Sequence, residues 1–153
     1  MFKKYEELDI TNRLICNFRD IGHVIRGTSE GKGSQKRVLI ILLESGPVTQ
    51  TALTEHLDIQ PGSASEVLGR LEKLGFIQRT ANEADKRTVL ISLTKTGILE
   101  AQEALRQRKN RHSEMFSALS DEEQRELLGL LEKLCDDWVI RYAEHMQRRK
   151  RRL

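Results

Sequence analysis

The side chains whose types and spacing could do chemistry gather in residues 49–94, and their chemistry is recognition of a polyanion rather than bond-making. Ser63, Ser65, Glu66 and Arg70 follow Pro61 and Gly62 on one side of a helix-period stretch. Ala64, Val67, Leu68, Leu71 and Leu74 form the opposite, inward face. Small residues at the start of such a helix allow close approach to a groove floor, and the helix N-terminus itself attracts phosphate. Serine hydroxyls suit phosphate or base edges. Arg70 is the one obvious long side chain on that face. Direct base reading is therefore expected to be sparse, with shape and phosphate contacts carrying much of the specificity. Glu66 also stands four residues before Arg70, a spacing that allows an ion pair worth about 0.2–0.5 kcal/mol. Thr49 and Gln50 are further candidates for phosphate contact, although a plain helix N-cap also explains Thr49. Asp85, Lys86 and Arg87 lie between two β-rich runs, and an arginine there suits a narrow, electronegative minor groove.

Other chemistries find little support. Cys16 and Cys135 have no metal-type spacing, and His23, His56, His112 and His145 have no mutual ligand spacing, so neither a metal nor a disulfide is expected. Gly31-Lys32-Gly33-Ser34 lacks the preceding strand and the first glycine of a phosphate-cradling loop. No nucleophile–base context or paired-carboxylate pocket is discernible. An enzyme and a bound cofactor are both unexpected.

The composition sets the frame. The 153 residues suit one domain, or one compact module with helical extensions, and 38% hydrophobic content is enough for a core. Aromatics make up only 5%, which disfavours a base-stacking platform. A net charge of +3 and a pI near 9.0 suit a polyanion partner. No apolar run approaches a membrane span. The basic start Met1-Phe2-Lys3-Lys4 has no apolar stretch behind it, so no signal peptide and a cytoplasmic location are expected.

These candidates need elements to position them. Residues 6–26 carry Leu8, Ile10, Leu14, Ile15, Phe18, Ile21, Gly22 and Ile25 at helical spacing, and three glycines (Gly27, Gly31, Gly33) then break the helix. Ser34 caps a helix over residues 35–44 with Val38, Leu39, Ile41, Leu42 and Leu43 inward. Ser45-Gly46-Pro47 stops it. Thr49 caps a short helix to Leu57, residues 58–60 make the turn, and Pro61 opens a second helix to about Leu74. Residues 76–80 and 88–93 read as a hairpin. A polar helix follows to Arg111 or beyond, and Ser120 with Glu123 forms a capping box for the last helix. The apolar stripes of the first and last helices exceed what one small chain can cover, and a second copy is the economical cover. Residues 121–137 hold seven acids against two bases, so that face should point away from DNA.

Val48-Thr49-Gln50-Thr51-Ala52-Leu53, Gly62-Ser63-Ala64-Ser65-Glu66-Val67-Leu68, Arg70-Leu71-Glu72-Lys73-Leu74-Gly75-Phe76-Ile77 and Asp85-Lys86-Arg87 leading to Ser92-Leu93-Thr94 resemble the MarR family of bacterial regulators. The resemblance covers nearly the whole chain, and the aspartate–x–arginine with a threonine seven residues on is its most specific part. It implies a mainly α fold with a small β-hairpin wing. A winged helix-turn-helix over residues 34–97 would be framed by dimerising helices at 6–33 and 98–147, with a basic tail at 148–153. It further implies a homodimeric repressor, less often an activator, on a short pseudo-palindromic operator in double-stranded DNA. Carried over, the wing arginine is Arg87, steadied by Asp85. Recognition-helix contacts fall on Ser63, Ser65, Glu66 and Arg70, and Thr49, Gln50, Pro61, Gly62, Arg79 and Lys86 complete the candidate DNA contacts. An effector, a small molecule or an oxidant, would act between the dimer interface and the DNA module.

Some relatives of that kind sense organic hydroperoxides through a first-helix cysteine, and Asn12-Arg13-Leu14-Ile15-Cys16 is similar to that context. They surround the thiol with tyrosines, whereas here the only tyrosines are Tyr5 and Tyr142. Packing is therefore the expected role of Cys16, with redox sensing the alternative. The rival reading of the whole chain is a winged-helix module for protein–protein contact with no specific operator.

Overall fold

The structure, a computed structural model, describes residues 5–31, 34–82 and 88–143. Asp85, Lys86, Arg87 and the basic run from Arg148 to Arg152 lie outside the described residues. The chain divides into two compact units, residues 1–107 and 108–153.

In the first unit, α1 (Ile10–Thr28) begins four residues later than residue 6, because the Asp9 carboxylate accepts the Asn12 N–H at 3.1 Å and caps the helix there. None of its residues is buried, and Ile10 is 77% exposed. Ser34 caps α2 (Gln35–Ser45), its Oγ accepting the Arg37 N–H at 3.2 Å. Val38 to Leu42 are all buried, Ile40 among them, so α2 is covered around more of its circumference than a single amphipathic stripe.

The helix-turn-helix follows the expected punctuation. Thr49 caps α3 (Gln50–Leu57), and Asp58 ends it in the left-handed region at φ 52°. Pro61 opens α4 (Pro61–Lys73), where its missing N–H costs no helical bond. Ala64, Val67, Leu68 and Leu71 are buried as expected, but Leu74 is 54% exposed. The helix ends at Lys73, and Gly75 (φ 71°) then turns the chain, so Leu74 leaves the periodicity that would have taken it inward.

The wing strands are β2 (Ile77–Ala81) and β3 (Val89–Leu93), antiparallel with Ile77 opposite Leu93 and Ala81 opposite Val89. A third strand, β1 (Val48–Thr49), pairs with β3 through Val48–Ile91 and Thr49–Leu90. The sheet order is β1-β3-β2, with β3 central. One core unites Leu39 and Leu42 of α2, Leu53 and Leu57 of α3, Leu68 and Leu71 of α4, Ile77, Ile91 and Ala101. Ala101 belongs to α5 (Lys95–Met115), whose first turns pack on this core.

In the second unit, α6 (Asp121–Arg141) starts with the predicted capping box. The Glu123 N–H reaches Ser120 Oγ at 3.3 Å, and the Ser120 N–H reaches Glu123 Oε2 at 2.8 Å. No residue of α6 is buried, and Ile140 is 81% exposed. Among the described residues, no helix is long and apolar enough to cross a membrane.

Candidate nucleic-acid interface

The polar face of α4 is open along its length. Pro61, Gly62, Ser63, Ser65, Glu66 and Arg70 are all exposed, opposite the buried apolar row. Gln60 makes no side-chain cap bond, so the first-turn N–H groups of Gly62 and Ser63 are not capped by it. Uncapped N–H groups at the positive end of a helix are what an anion meets first.

Three elements meet beside this face. Gln50, first residue of α3, donates from Nε2 to Ser65 Oγ at 2.8 Å. Arg79 of β2 donates from Nη1 to Gln50 Oε1 at 3.3 Å and from Nε to Glu72 Oε2 at 3.2 Å. Three sequence candidates, Gln50, Ser65 and Arg79, thus sit in one hydrogen-bonded cluster with Glu72, which sequence reasoning missed. No local rule links residues 72 and 79, because the turn at Gly75 sets their proximity. A cleft of about 350 Å³ lined by Gln50, Thr51, Thr54, Glu55 and Pro61 opens nearby.

Arg70 pairs with Glu66 at 3.4 Å, with side chains 63% and 74% exposed. Such a pair is screened and weak, so Arg70 can exchange it for a phosphate or base at little cost. Thr49 Oγ1 accepts the Ala52 N–H at 3.2 Å, so its hydroxyl serves as the N-cap of α3. Asp85, Lys86 and Arg87 belong to the undescribed part of the wing.

The base of the wing is anchored to α5. The Thr94 hydroxyl donates to the Gly75 carbonyl at 2.6 Å and accepts the Gly97 N–H at 3.0 Å, while the Thr94 N–H donates to the Phe76 carbonyl at 3.0 Å. Gly97 lies so close to the residue before β2 that a Cβ there would stand 1.8 Å from the Phe76 oxygen. Thr94 with a glycine three residues on was the available signal for this junction.

Away from α4, Cys16 is half-buried and Arg19 Nη2 lies 3.4 Å from its sulfur. Tyr5 is hydrogen-bonded to Asp20 close by, and burial, then that bond, pushes its phenol upward from its usual value. Among the described residues, no group of three or more His, Cys, Asp or Glu could hold a metal.

The MarR family sequence profile matches residues 34–89, which take in α2, the helix-turn-helix and β2. Over 98 residues the chain is 31% identical to the uncharacterized HTH-type transcriptional regulator YwhA of Bacillus subtilis, covering 64% of this chain and 70% of that one. It is 28% identical over 143 residues to the transcriptional repressor MdtR of the same organism, covering 92% of each. Among solved structures it resembles a mutant E. coli MarR complexed with operator DNA, at 26% identity and TM-score 0.63 over 82% of this chain and 98% of that one. Its mainly helical fold, its three-stranded wing sheet and these relatives together place the chain in the MarR family of transcriptional regulators.

Proposed function

We propose that the chain is a ligand-responsive repressor that binds a pseudo-palindromic operator in double-stranded DNA as a homodimer. The observation that carries this reading is the open polar end of α4, hydrogen-bonded at Ser65 to α3 and through Gln50 to β2. A helix held from two sides, with its N-terminus uncapped, suits insertion in a major groove. The resemblance to MarR in complex with operator DNA supports a DNA partner. Thr49, Gln50, Gly62, Ser63, Ser65, Glu66, Arg70 and Arg79 would meet phosphates and base edges, and Lys86 and Arg87 the adjoining minor groove, with Asp85 steadying the wing. The basic tail would add nonspecific phosphate attraction.

The homodimer is supported by apolar faces that the chain leaves uncovered: Ile10, Leu14, Ile21 and Val24 on α1, and Leu128, Leu134 and Trp138 on α6. Patches of that kind rarely stay open to water on a monomer. Helices within 6–33 and 98–147 would pair the copies and set two α4 helices about 34 Å apart, one turn of duplex. An effector between interface and DNA module would release DNA by favouring a different separation, through its differential affinity for the two states.

The test compares the chain's own upstream DNA with random duplex at two salt concentrations. Tighter binding to the upstream duplex, weakening with salt for both, is expected. Equal affinity for both duplexes, or none, would sink the reading and favour a protein–protein module. Arg19 and Tyr5 near Cys16 favour thiol control as a second reading. Mild peroxide should then release operator from the parent but not from Cys16→Ser, and a like response in both would exclude it.

A further inference from the structure

The cluster beside α4 is a directed relay of hydrogen bonds. A guanidinium has N–H donors and no acceptor, so the Gln50 atom facing Arg79 must be its carbonyl oxygen. That fixes the amide, and its NH₂ group is the end that meets Ser65. An amide nitrogen only donates, so Ser65 Oγ accepts at 2.8 Å. The serine proton is then directed elsewhere, and no acceptor among the described residues takes it. Ser65 is exposed on the polar face of α4, so the proton can be donated outward. At the other end, Glu72 Oε2 receives Arg79 Nε at 3.2 Å, tethering the guanidinium whose Nη1 reaches Gln50.

We propose that Glu72 is a positioning residue for DNA recognition, acting through Arg79 and Gln50 to present Ser65 as a hydrogen-bond donor, so that Ser65 faces an acceptor atom of the duplex. This rests on α4 being the DNA-reading element. The acceptors on offer are a phosphate oxygen, or N7 and O6 of guanine, N7 of adenine and O4 of thymine in the major groove. Exocyclic amines of adenine and cytosine are donors and match the relay poorly. Polarity propagates along such a chain because each bond strengthens the next, which gives a partly exposed ion pair influence at the far end. Arg79 spends two of its N–H groups here, leaving others to meet a phosphate.

The experiment begins by selecting duplexes from a randomised pool with the parent protein. Absence of any enriched sequence would overturn the DNA reading on which the relay stands. With an enriched duplex in hand, affinities are measured for Ser65→Ala, Gln50→Ala, the double variant, Glu72→Ala and Glu72→Gln, on that duplex and on its single-base-pair substitutions. Ser65→Ala and Gln50→Ala are each expected to weaken binding about three- to tenfold, the loss of one hydrogen bond. The double variant should lose no more than Ser65→Ala alone. Glu72→Ala should move discrimination in the same sense. Glu72→Gln, which keeps a carbonyl acceptor for Nε, should restore it. Losses confined to one base pair of each half-site assign a base acceptor to Ser65, and equal losses on every duplex assign a phosphate. Losses that multiply in the double variant would overturn the relay. So would a Glu72→Ala protein whose discrimination matches the parent while Gln50→Ala is impaired.

Discussion

Gly97→Ala should unlock the junction between the wing and α5. A Cβ at this position would stand 1.8 Å from the Phe76 oxygen, 2.7 Å from its carbonyl carbon and 3.1 Å from its Cα. Real Cβ atoms essentially never come within 3.0 Å of such neighbours, so α5 or the backbone leading into β2 must move by about an ångström. The clashing atoms of Phe76 are all backbone, held by the Thr94 N–H on the carbonyl, and no flexible side chain can yield instead. Forcing extra volume into such a contact costs about 1–3 kcal/mol. The Phe76 carbonyl also accepts the Thr94 N–H at 3.0 Å, and losing that bond adds about 1 kcal/mol. Alanine's advantage over glycine in a helix returns at most about 1 kcal/mol. The net loss is about 1–3 kcal/mol, which at a urea slope of about 1–3 kcal/mol per molar lowers the midpoint by on the order of 1 M. Urea unfolding at a fixed protomer concentration measures it, with Gly69→Ala as the control. Gly69 lies inside α4 with nothing within 4 Å of its added Cβ, so there alanine should stabilise by about 0.5–1 kcal/mol. The same chemical change thus carries opposite signs at two sites. A Gly97→Ala protein within about 0.5 kcal/mol of the parent would refute the close approach.

Other consequences are open to measurement. Ser120→Ala removes the acceptor for the Glu123 N–H and should cost about 1 kcal/mol by the same unfolding assay, whereas no change would disprove the box. Hydrogen bonds from Arg106 and then Gln107 lower the Glu103 carboxyl from 4.5 to about 2, so its folded value lies below its unfolded one. Its contribution is therefore present above 4.5 and fades as pH falls towards 2, so Glu103→Gln should flatten the pH dependence of the urea midpoint in that window. An unchanged slope would contradict this. Leu134→Glu with Trp138→Glu, on the exposed apolar face of α6, should yield monomers by sedimentation equilibrium, and a parent-sized particle would exclude that face from the dimer. Arg87→Ala should weaken operator binding by about 1–3 kcal/mol with dimer mass unchanged, and parent-like affinity would remove the wing arginine from the interface.

The punctuation of the chain was the most legible part. Ser34, Thr49 and Ser120 cap the helices they were expected to cap, and Pro61 opens α4, because these residues act through neighbours three positions away. What sequence could not show came from distance. Val48–Thr49 is too short to display alternation, and it is a strand only because Ile91 and Leu90 lie opposite. Leu74 keeps the spacing of an inward residue but stands beyond the end of its helix. Ile40 was passed over because α2 is wrapped on several sides, which a single stripe cannot express. At the candidate site, Gln50, Ser65 and Arg79 were each legible as polar and exposed. Their union through Glu72 was not, since it depends on the turn at Gly75.

Two copies of α4 are proposed to read one duplex together. Chemical footprinting of the dimer on its selected or upstream duplex tests this most directly. Two protected half-sites, centred about 10 base pairs apart on one face of the helix, are the predicted result. A single protected patch, half-sites at unrelated spacing, or no protection at concentrations where the dimer is intact would contradict it.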